Sequence, residues 1–279
     1  MTIALFIAHG TNNLLNDYTD YTQGVDTDNY FRLQYGVHPL AQGFWDKKTQ
    51  LRWFYTSGAI AFASGIIALA YRGFTDPIVL GLFAFGALML LFYTWPLKHI
   101  GLGEIVIFII WGPVFVGGVF YVLTGVWSWE VTLAGVPFGW TVASINVGKH
   151  TAKLLADSRK EVRTLPVIIG EKAARYVTMG AIILAYLVFV YLTFFPRYFT
   201  PIILIIFFAI PRAILAFKTL SKPRPDKAPE GFAYWPTWFS AVAFYHNRMF
   251  GGLMVLGLII DTLLHIFFPG FIAAYWPML

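Results

Sequence analysis

Asp17, Asp20 and Asp26 stand close together near the start of a 279-residue chain, in the run Asn16-Asp17-Tyr18-Thr19-Asp20 followed by Gly24 and Asp26. On a helix, Asn13 and Asp17 are four apart, as are Asn16 and Asp20, and Asp17 and Asp20 are three apart. All four therefore lie along one side. Carboxylates this close repel each other, and a cation between them keeps both ionised. Oxygen ligands of this kind suit Mg²⁺, which takes one or two carboxylates and completes its shell with water and substrate phosphates. Gly24 permits a turn that returns Asp26 toward the same mouth. An acidic helix end solvated at an interface is the plainer alternative.

A second group follows the same logic with the opposite sign. Asn146, His150, Lys153 and Asp157 are spaced four, three and four apart, which makes a single helical stripe. Arg159, Lys160 and Arg163 come next, then Thr164-Leu165-Pro166. A stripe this polar suits a cavity wall and not lipid. Its cations could grip a diphosphate, Arg as a planar fork and Lys as a point charge. Taken alone, the run also reads as an ordinary topology-setting loop, and His150 as a hydrogen-bonding group instead of a metal ligand. A third place is the turn from Tyr93 to Glu104. There Pro96 ends one helix, Gly101 and Gly103 allow a tight turn, and Glu104 suits the start of the next helix. Lys98 could reach the same mouth from this turn, which is equally readable as purely structural.

The elements that position these residues are membrane spans. The chain is 58% hydrophobic and only 12% charged, where soluble domains carry about 25% charged residues. A spanning helix needs roughly 20 apolar residues, and segments 51–71, 77–97, 104–126, 129–147, 176–195, 199–217 and 249–268 qualify. Segment 1–15 is a shorter eighth candidate, carrying His9, Asn12 and Asn13. Continuous apolarity excludes alternating barrel strands. The sequence thus predicts an all-α, polytopic bundle of about eight helices forming one membrane-embedded domain. Threading the spans alternately puts all but three of the 20 Lys and Arg residues on one side: Arg72 and Arg197 fall opposite, and Arg212 lies within a span. By the positive-inside rule the basic side is cytoplasmic.

Three long segments, 16–50, 148–175 and 218–248, share that side, and long ordered loops in compact proteins are usually functional. Residues 222–236 read as a Pro-rich linker, with Trp235, Trp238 and Phe239 suited to an interfacial anchor. The formal charge of +6 belongs to loops between spans, so nucleic acid is not a partner. With no cysteine there is no disulfide scaffold, thiolate metal site or cysteine nucleophile. Nothing at the N-terminus reads as a cleavable signal peptide.

At these same three places the chain resembles the UbiA superfamily of intramembrane prenyltransferases, most closely the 1,4-dihydroxy-2-naphthoate polyprenyltransferase branch of menaquinone synthesis. Asn16-Asp17-Tyr18-Thr19-Asp20-Tyr21 with Gly24-Val25-Asp26-Thr27 is similar to that branch's first Asp-rich motif. Tyr93 to Glu104, running on to Phe108 and Gly112-Pro113, resembles its mid-chain turn and following helix. Asp157 with Thr164-Leu165-Pro166 and Gly170 resembles the end of its second Asp-rich motif. The resemblance implies a bundle of nine helices around a cavity, in a bacterial or archaeal cytoplasmic membrane. Mg²⁺ and basic residues there hold a polyprenyl diphosphate, and an electron-rich aromatic acceptor attacks the allylic cation left when diphosphate departs. By position, Asp17, Asp20, Asp26 and Asp157 would bind Mg²⁺, with Asp17 and Asp20 central to catalysis and Asn16 supporting them. Lys153, Arg159 and Arg163 would clamp diphosphate and, more loosely, so would Arg32 and Lys98. Asn13, Asn146 and His150 would face the cavity.

Two departures from the family pattern qualify these expectations. The second motif usually places an Asp four residues before its final one, and here that position is Lys153, which could supply a fixed charge in place of one Mg²⁺. The family's first helix has no counterpart in this sequence, since Met1 falls within what resembles the second; a mis-set start, a truncation or true loss would each produce this, and true loss would open a gap in the wall for a partner subunit or lipid to fill. An enzyme acting on a quinone precursor is one reading. A catalytically degenerate relative serving as a structural or quinone-binding subunit of a larger membrane complex is the other.

Overall fold

A computed structural model of the chain describes residues 2–28 and 30–278, and every regular element among them is helical. Eight helices of sixteen residues or more dominate. They are α1 (Thr2–Thr22), α2 (Lys47–Tyr71), α3 (Pro77–Phe92), α4 (Gly103–Thr124), α5 (Trp129–Ala152), α6 (Glu171–Phe194), α7 (Pro201–Leu220) and α8 (Trp238–Phe267). Six of them (α2, α4, α5, α6, α7 and α8) are long and apolar enough to cross a membrane. Three short α-helices, Leu154–Arg159, Leu165–Ile169 and Pro269–Tyr275, and two 3-10 turns, Phe31–Gln34 and Leu97–Ile100, lie between or after them.

Caps set several of the boundaries. Asp46 accepts a hydrogen bond from the Thr49 backbone N–H at 2.8 Å and starts α2. Asp76 accepts from Ile78 and Val79 and starts α3, with Pro77 in the first turn, where its missing N–H costs nothing. Ser128 does the same for α5 through Val131. The sequence places the end of α3 near 97, but the helix stops at Phe92, where the Tyr93–Gly103 turn begins. At the other extreme, α1 runs unbroken from Thr2 to Thr22 and carries Asp17 and Asp20 on its last turns, beyond the apolar stretch that suggested residues 1–15.

Small residues decide which helices touch. In lipid there is little hydrophobic drive between helices, so close packing through glycine becomes the favourable term. A Cβ at Gly139 would lie 2.5 Å from the Phe108 carbonyl, and one at Gly135 would lie 2.7 Å from the Gly112 carbonyl. On α4 this contact coincides with a π turn at Ile110–Val114, where Pro113 lacks an N–H and Gly112 takes a non-helical conformation. On the opposite flank Gly148 of α5 meets the backbone of Phe239 and Ser240. Gly139→Leu should therefore force α4 and α5 apart. Overpacking of this kind costs about 1–3 kcal/mol, read as a lowered midpoint of thermal unfolding in detergent, while a lipid-facing change such as Leu187→Ala should leave the midpoint within a degree or two of the parent.

The two halves of the bundle differ in what they enclose. Helices α6, α7 and α8 pack solidly against α5 around Ile182, Phe189, Ile203, Ile206 and Phe250, all fully buried. Thr178, Ile182, Ala185, Phe189 and Leu192 form the buried side of α6, whereas Ile183, Leu187 and Tyr191 face outward. Both sides are apolar, so only packing distinguishes them. Arg212, the charge within a span, donates to the Tyr245 carbonyl at 3.1 Å and lies 4.0 Å above the Tyr245 ring, which satisfies it without a carboxylate. Phe239 is fully buried against this core and so is not an interfacial anchor, because α8 begins one residue earlier and carries it inward. The other half, α1 to α4, is not filled, and with α5 it surrounds a cavity.

Candidate active site

The cavity measures about 790 Å³ and is amphipathic along its length. At one end its wall is ionic, formed by Asp17, Asp20, Asp26, Arg32, Lys98 and Lys153. Beyond these, Met89, Ile107, Trp111, Phe83, Val79 and Val122 carry the lining toward the far ends of α3 and α4. At 1.5 Å rise per residue, Val79 and Tyr93 on the wall lie about 20 Å apart along the α3 axis. A charged mouth therefore opens into a largely apolar channel that runs most of the depth of the bundle, with His9 edge-on to Trp111 and Asn12 as polar members of its wall.

Helix α1 presents Asn13, Asn16, Asp17 and Asp20 to the mouth, as their spacing requires. Lys98, brought in by the turn after α3, bonds both oxygens of Asp20, Oδ2 at 2.5 Å and Oδ1 at 2.7 Å, and also reaches Asn16 Oδ1 at 3.1 Å. Thr94 donates to the same Asn16 oxygen at 3.2 Å. Asp26 follows the left-handed Gly24, whose positive φ makes the turn, and accepts a hydrogen bond from His38 at 3.1 Å. Asp17 lies 3.8 Å from Arg32. Ligand atoms of Asp17, Asp26 and His38 all fall within 4.8 Å of one another. Burial disfavours the His38 cation, but the hydrogen bond to Asp26 and the neighbouring Asp17 carboxylate outweigh it, holding the imidazole pKa above its usual value.

On α5, Asn146, Lys149, His150 and Lys153 line the cavity. His150 is tied to the buried Glu104 by a short hydrogen bond. Lys153 pairs with Asp157 at 2.9 Å and also donates to the Tyr30 hydroxyl at 3.3 Å, which in turn bonds Asp157. Burial works against the Lys153 ammonium, yet the Asp157 carboxylate holds its pKa above the normal lysine range. Asp157 is fully buried behind this pair and does not line the cavity, so it sits apart from Asp17 and Asp26. Arg159 and Arg163 are exposed and lie outside the cavity wall.

Three participants have no place in the sequence reading. Lys149 was findable, being three residues from Asn146 and four from Lys153 on the same stripe. His38 and Tyr30 were not, because each lies in the irregular segment between α1 and α2, where no spacing rule applies. The Lys98–Asp20 pair has a structural consequence of its own. Both groups are buried, and removing one partner of a buried pair costs about 3–5 kcal/mol. Lys98→Met should lower thermal stability by that order, and Lys98→Met with Asp20→Leu should recover much of it.

A helical bundle with apolar spans, an ion-paired mouth and a largely apolar channel defines an integral membrane protein. The model of the UbiA prenyltransferase family matches residues 1–240, and the chain belongs to that family. It is 24% identical over 266 residues to the 1,4-dihydroxy-2-naphthoate octaprenyltransferase of Bacillus subtilis (strain 168), covering 89% of this chain and 76% of that protein. It is 28% identical over 193 residues to the UbiA prenyltransferase domain-containing protein 1 of Gallus gallus, spanning 67% of this chain but only 55% of the relative's length. A solved structure from work on digeranylgeranylglyceryl phosphate synthase superposes with a TM-score of 0.55 at 19% identity, covering 92% of this chain and 82% of that one. At that identity the likeness shows the fold alone. Members of this family generally use a divalent metal. The oxygen-rich set Asp17 and Asp26, with His38 beside them, suits such an ion.

Proposed function

We propose that this chain is a Mg²⁺-dependent prenyltransferase that moves a polyprenyl group from its diphosphate to an aromatic acceptor, a quinone precursor such as 1,4-dihydroxy-2-naphthoate. The observation that carries the proposal is the continuity of the cavity, which joins a cation-lined mouth to an apolar channel within one enclosure. The diphosphate belongs at the mouth, beside Lys98, Lys149, Lys153 and Arg32, and the isoprenoid tail belongs in the channel. When bound at Asp17 and Asp26, Mg²⁺ supplies charge stabilisation to the leaving diphosphate. The ammonium groups add to that stabilisation without reorganising. As the allylic C–O bond breaks, its electron pair leaves with the diphosphate. The acceptor ring then forms the new C–C bond and loses a ring proton. The apolar walls from Met89 to Val122 exclude the water that would otherwise quench the cation. The concentration of Lys and Arg on the loop side supports a cytoplasmic mouth, and the resemblance to the Bacillus subtilis protein supports the acceptor class.

The full chain, purified with Mg²⁺, a polyprenyl diphosphate and dihydroxynaphthoate, is expected to release diphosphate and form a prenylated ring. Absence of turnover on every quinone precursor offered would overturn the proposal. A second reading, a non-catalytic quinone-binding subunit, draws support from the lysines that occupy Asp20 and Asp157. It predicts a co-purifying assembly and quinone binding that are both indifferent to Asp17→Ala.

A further inference from the structure

We infer that His150, held by Glu104, is the base that takes the hydroxyl proton of the aromatic acceptor, so that the ring attacks the allylic group as an activated, phenolate-like nucleophile. The inference deepens the function proposed above and rests on it for the chemistry of the acceptor.

His150 lies on the cavity-facing stripe of α5, three residues, or about 4.5 Å of helix rise, inward of Lys153 at the mouth. Its side chain is almost wholly enclosed, and Nδ1 meets a carboxylate oxygen of Glu104 in a short hydrogen bond. Glu104 is itself buried in the first turn of α4, and its other oxygen accepts from the Leu165 backbone N–H at 3.4 Å. The second ring nitrogen, Nε2, has no hydrogen-bond partner among the described residues, and His150 borders the cavity. An imidazole with one nitrogen fixed by a buried carboxylate and the other left open is the arrangement of a general base. The carboxylate selects the tautomer whose Nε2 lone pair is free, and it stabilises the imidazolium once a proton arrives.

The neighbours of His150 on the stripe are engaged elsewhere. One turn before it, Asn146 is hydrogen-bonded to Tyr93, and one turn after it, Lys153 is bound to Asp157 and Tyr30. The adjacent Lys149 also lines the cavity, and no carboxylate among the described residues pairs with it. Its ammonium favours a developing oxyanion over a neutral hydroxyl. A pair that served only to join α4 to α5 would have no need of the cavity wall, since Gly135 and Gly139 already bring those two helices into backbone contact.

In the step assigned to His150, the hydroxyl proton passes to Nε2 while an oxygen lone pair feeds the ring carbon that bonds to the allylic carbon. The electron pair of the broken C–O bond leaves with diphosphate. The substituted ring carbon then gives up its hydrogen to the diphosphate as a proton, and Nε2 returns its own to the oxygen. The ring is aromatic again, the imidazole is neutral, and one proton is released per turnover.

The test compares two acceptors of similar shape: dihydroxynaphthoate, and a halogenated hydroxynaphthoate whose hydroxyl is already ionised at the assay pH. With full-length protein in lipid nanodiscs, His150→Gln should lower kcat about 10²–10⁴-fold on the first, the usual contribution of a positioned base, and less than ~10-fold on the second. Glu104 acts through His150 as a positioning residue, so Glu104→Gln should show the same preference for the ionised acceptor to a smaller degree. Both variants should bind inorganic pyrophosphate as the parent does, which separates loss of a base from loss of the fold. The parent chain gives a reading that needs no variant: in D₂O its turnover should slow with the first acceptor and not with the second. Equal losses on the two acceptors, no loss on either, or equal solvent isotope effects in the parent would each overturn the inference and leave the proposed function standing. A parent chain that prenylates neither acceptor would sink the function and this inference with it.

Discussion

Replacing Asp26 with Ala is expected to lower prenyl transfer by about 10²–10³-fold, the usual cost of losing one preorganised electrostatic contact to a developing charge. Asp26 is buried on the turn made by Gly24, hydrogen-bonded to His38, and shares a ligand-sized space with Asp17. Its loss removes half of the available negative charge at that position. The effect should fall on kcat and on the Mg²⁺ requirement, with the KM for the isoprenoid tail little changed, because the channel is untouched. Raising Mg²⁺ should restore part of the activity if Asp17 and His38 still bind the ion weakly. Steady-state kinetics at several Mg²⁺ concentrations check this, and an unchanged rate at low Mg²⁺ would remove Asp26 from the metal site.

The second large effect concerns chain length. Gly86 lines the apolar channel on α3, and a Cβ built there meets nothing within 4 Å. A bulky residue at this position grows into the channel and not into a neighbouring helix, so Gly86→Phe should fold normally yet block the far end. Long polyprenyl diphosphates should lose roughly 10–200-fold in kcat/KM, the range one misfitted apolar contact commands. A short allylic diphosphate that ends before Gly86 should react at nearly the parental rate. Competition between short and long donors reads the shift directly. Equal loss for both would mean that the tail leaves the cavity by another route.

Both predictions combine a residue the sequence could name with a neighbour it could not. Asp17, Asp20 and Asp26 are legible because helical spacing and a following glycine are local facts. That Asp26 faces His38 is not, since they lie twelve positions apart across a stretch whose one regular element is the single 3-10 turn Phe31–Gln34, and no periodicity carries across such a segment. Likewise, the composition of α3 marks it as apolar on every side, which says nothing about whether Gly86 faces lipid, another helix or a void. Arg159 and Arg163 illustrate the opposite limit. They follow the polar stripe of α5 in sequence, but the chain breaks at Lys153 into the short helix Leu154–Arg159, and the break turns both arginines outward.

The sequence by itself determined the class of fold and, through motifs that resemble a family, pointed to the family and to three segments that meet at the cavity, because apolar run length, charge placement and local motifs are properties of contiguous residues. Only the tertiary structure decided which charges pair with one another. Two of the carboxylates that the resemblance assigns to Mg²⁺, Asp20 and Asp157, are paired with lysines, one of them 78 residues away. The reason is physical: a charge brought out of water must find a partner, and which partner it finds is set by how whole helices pack.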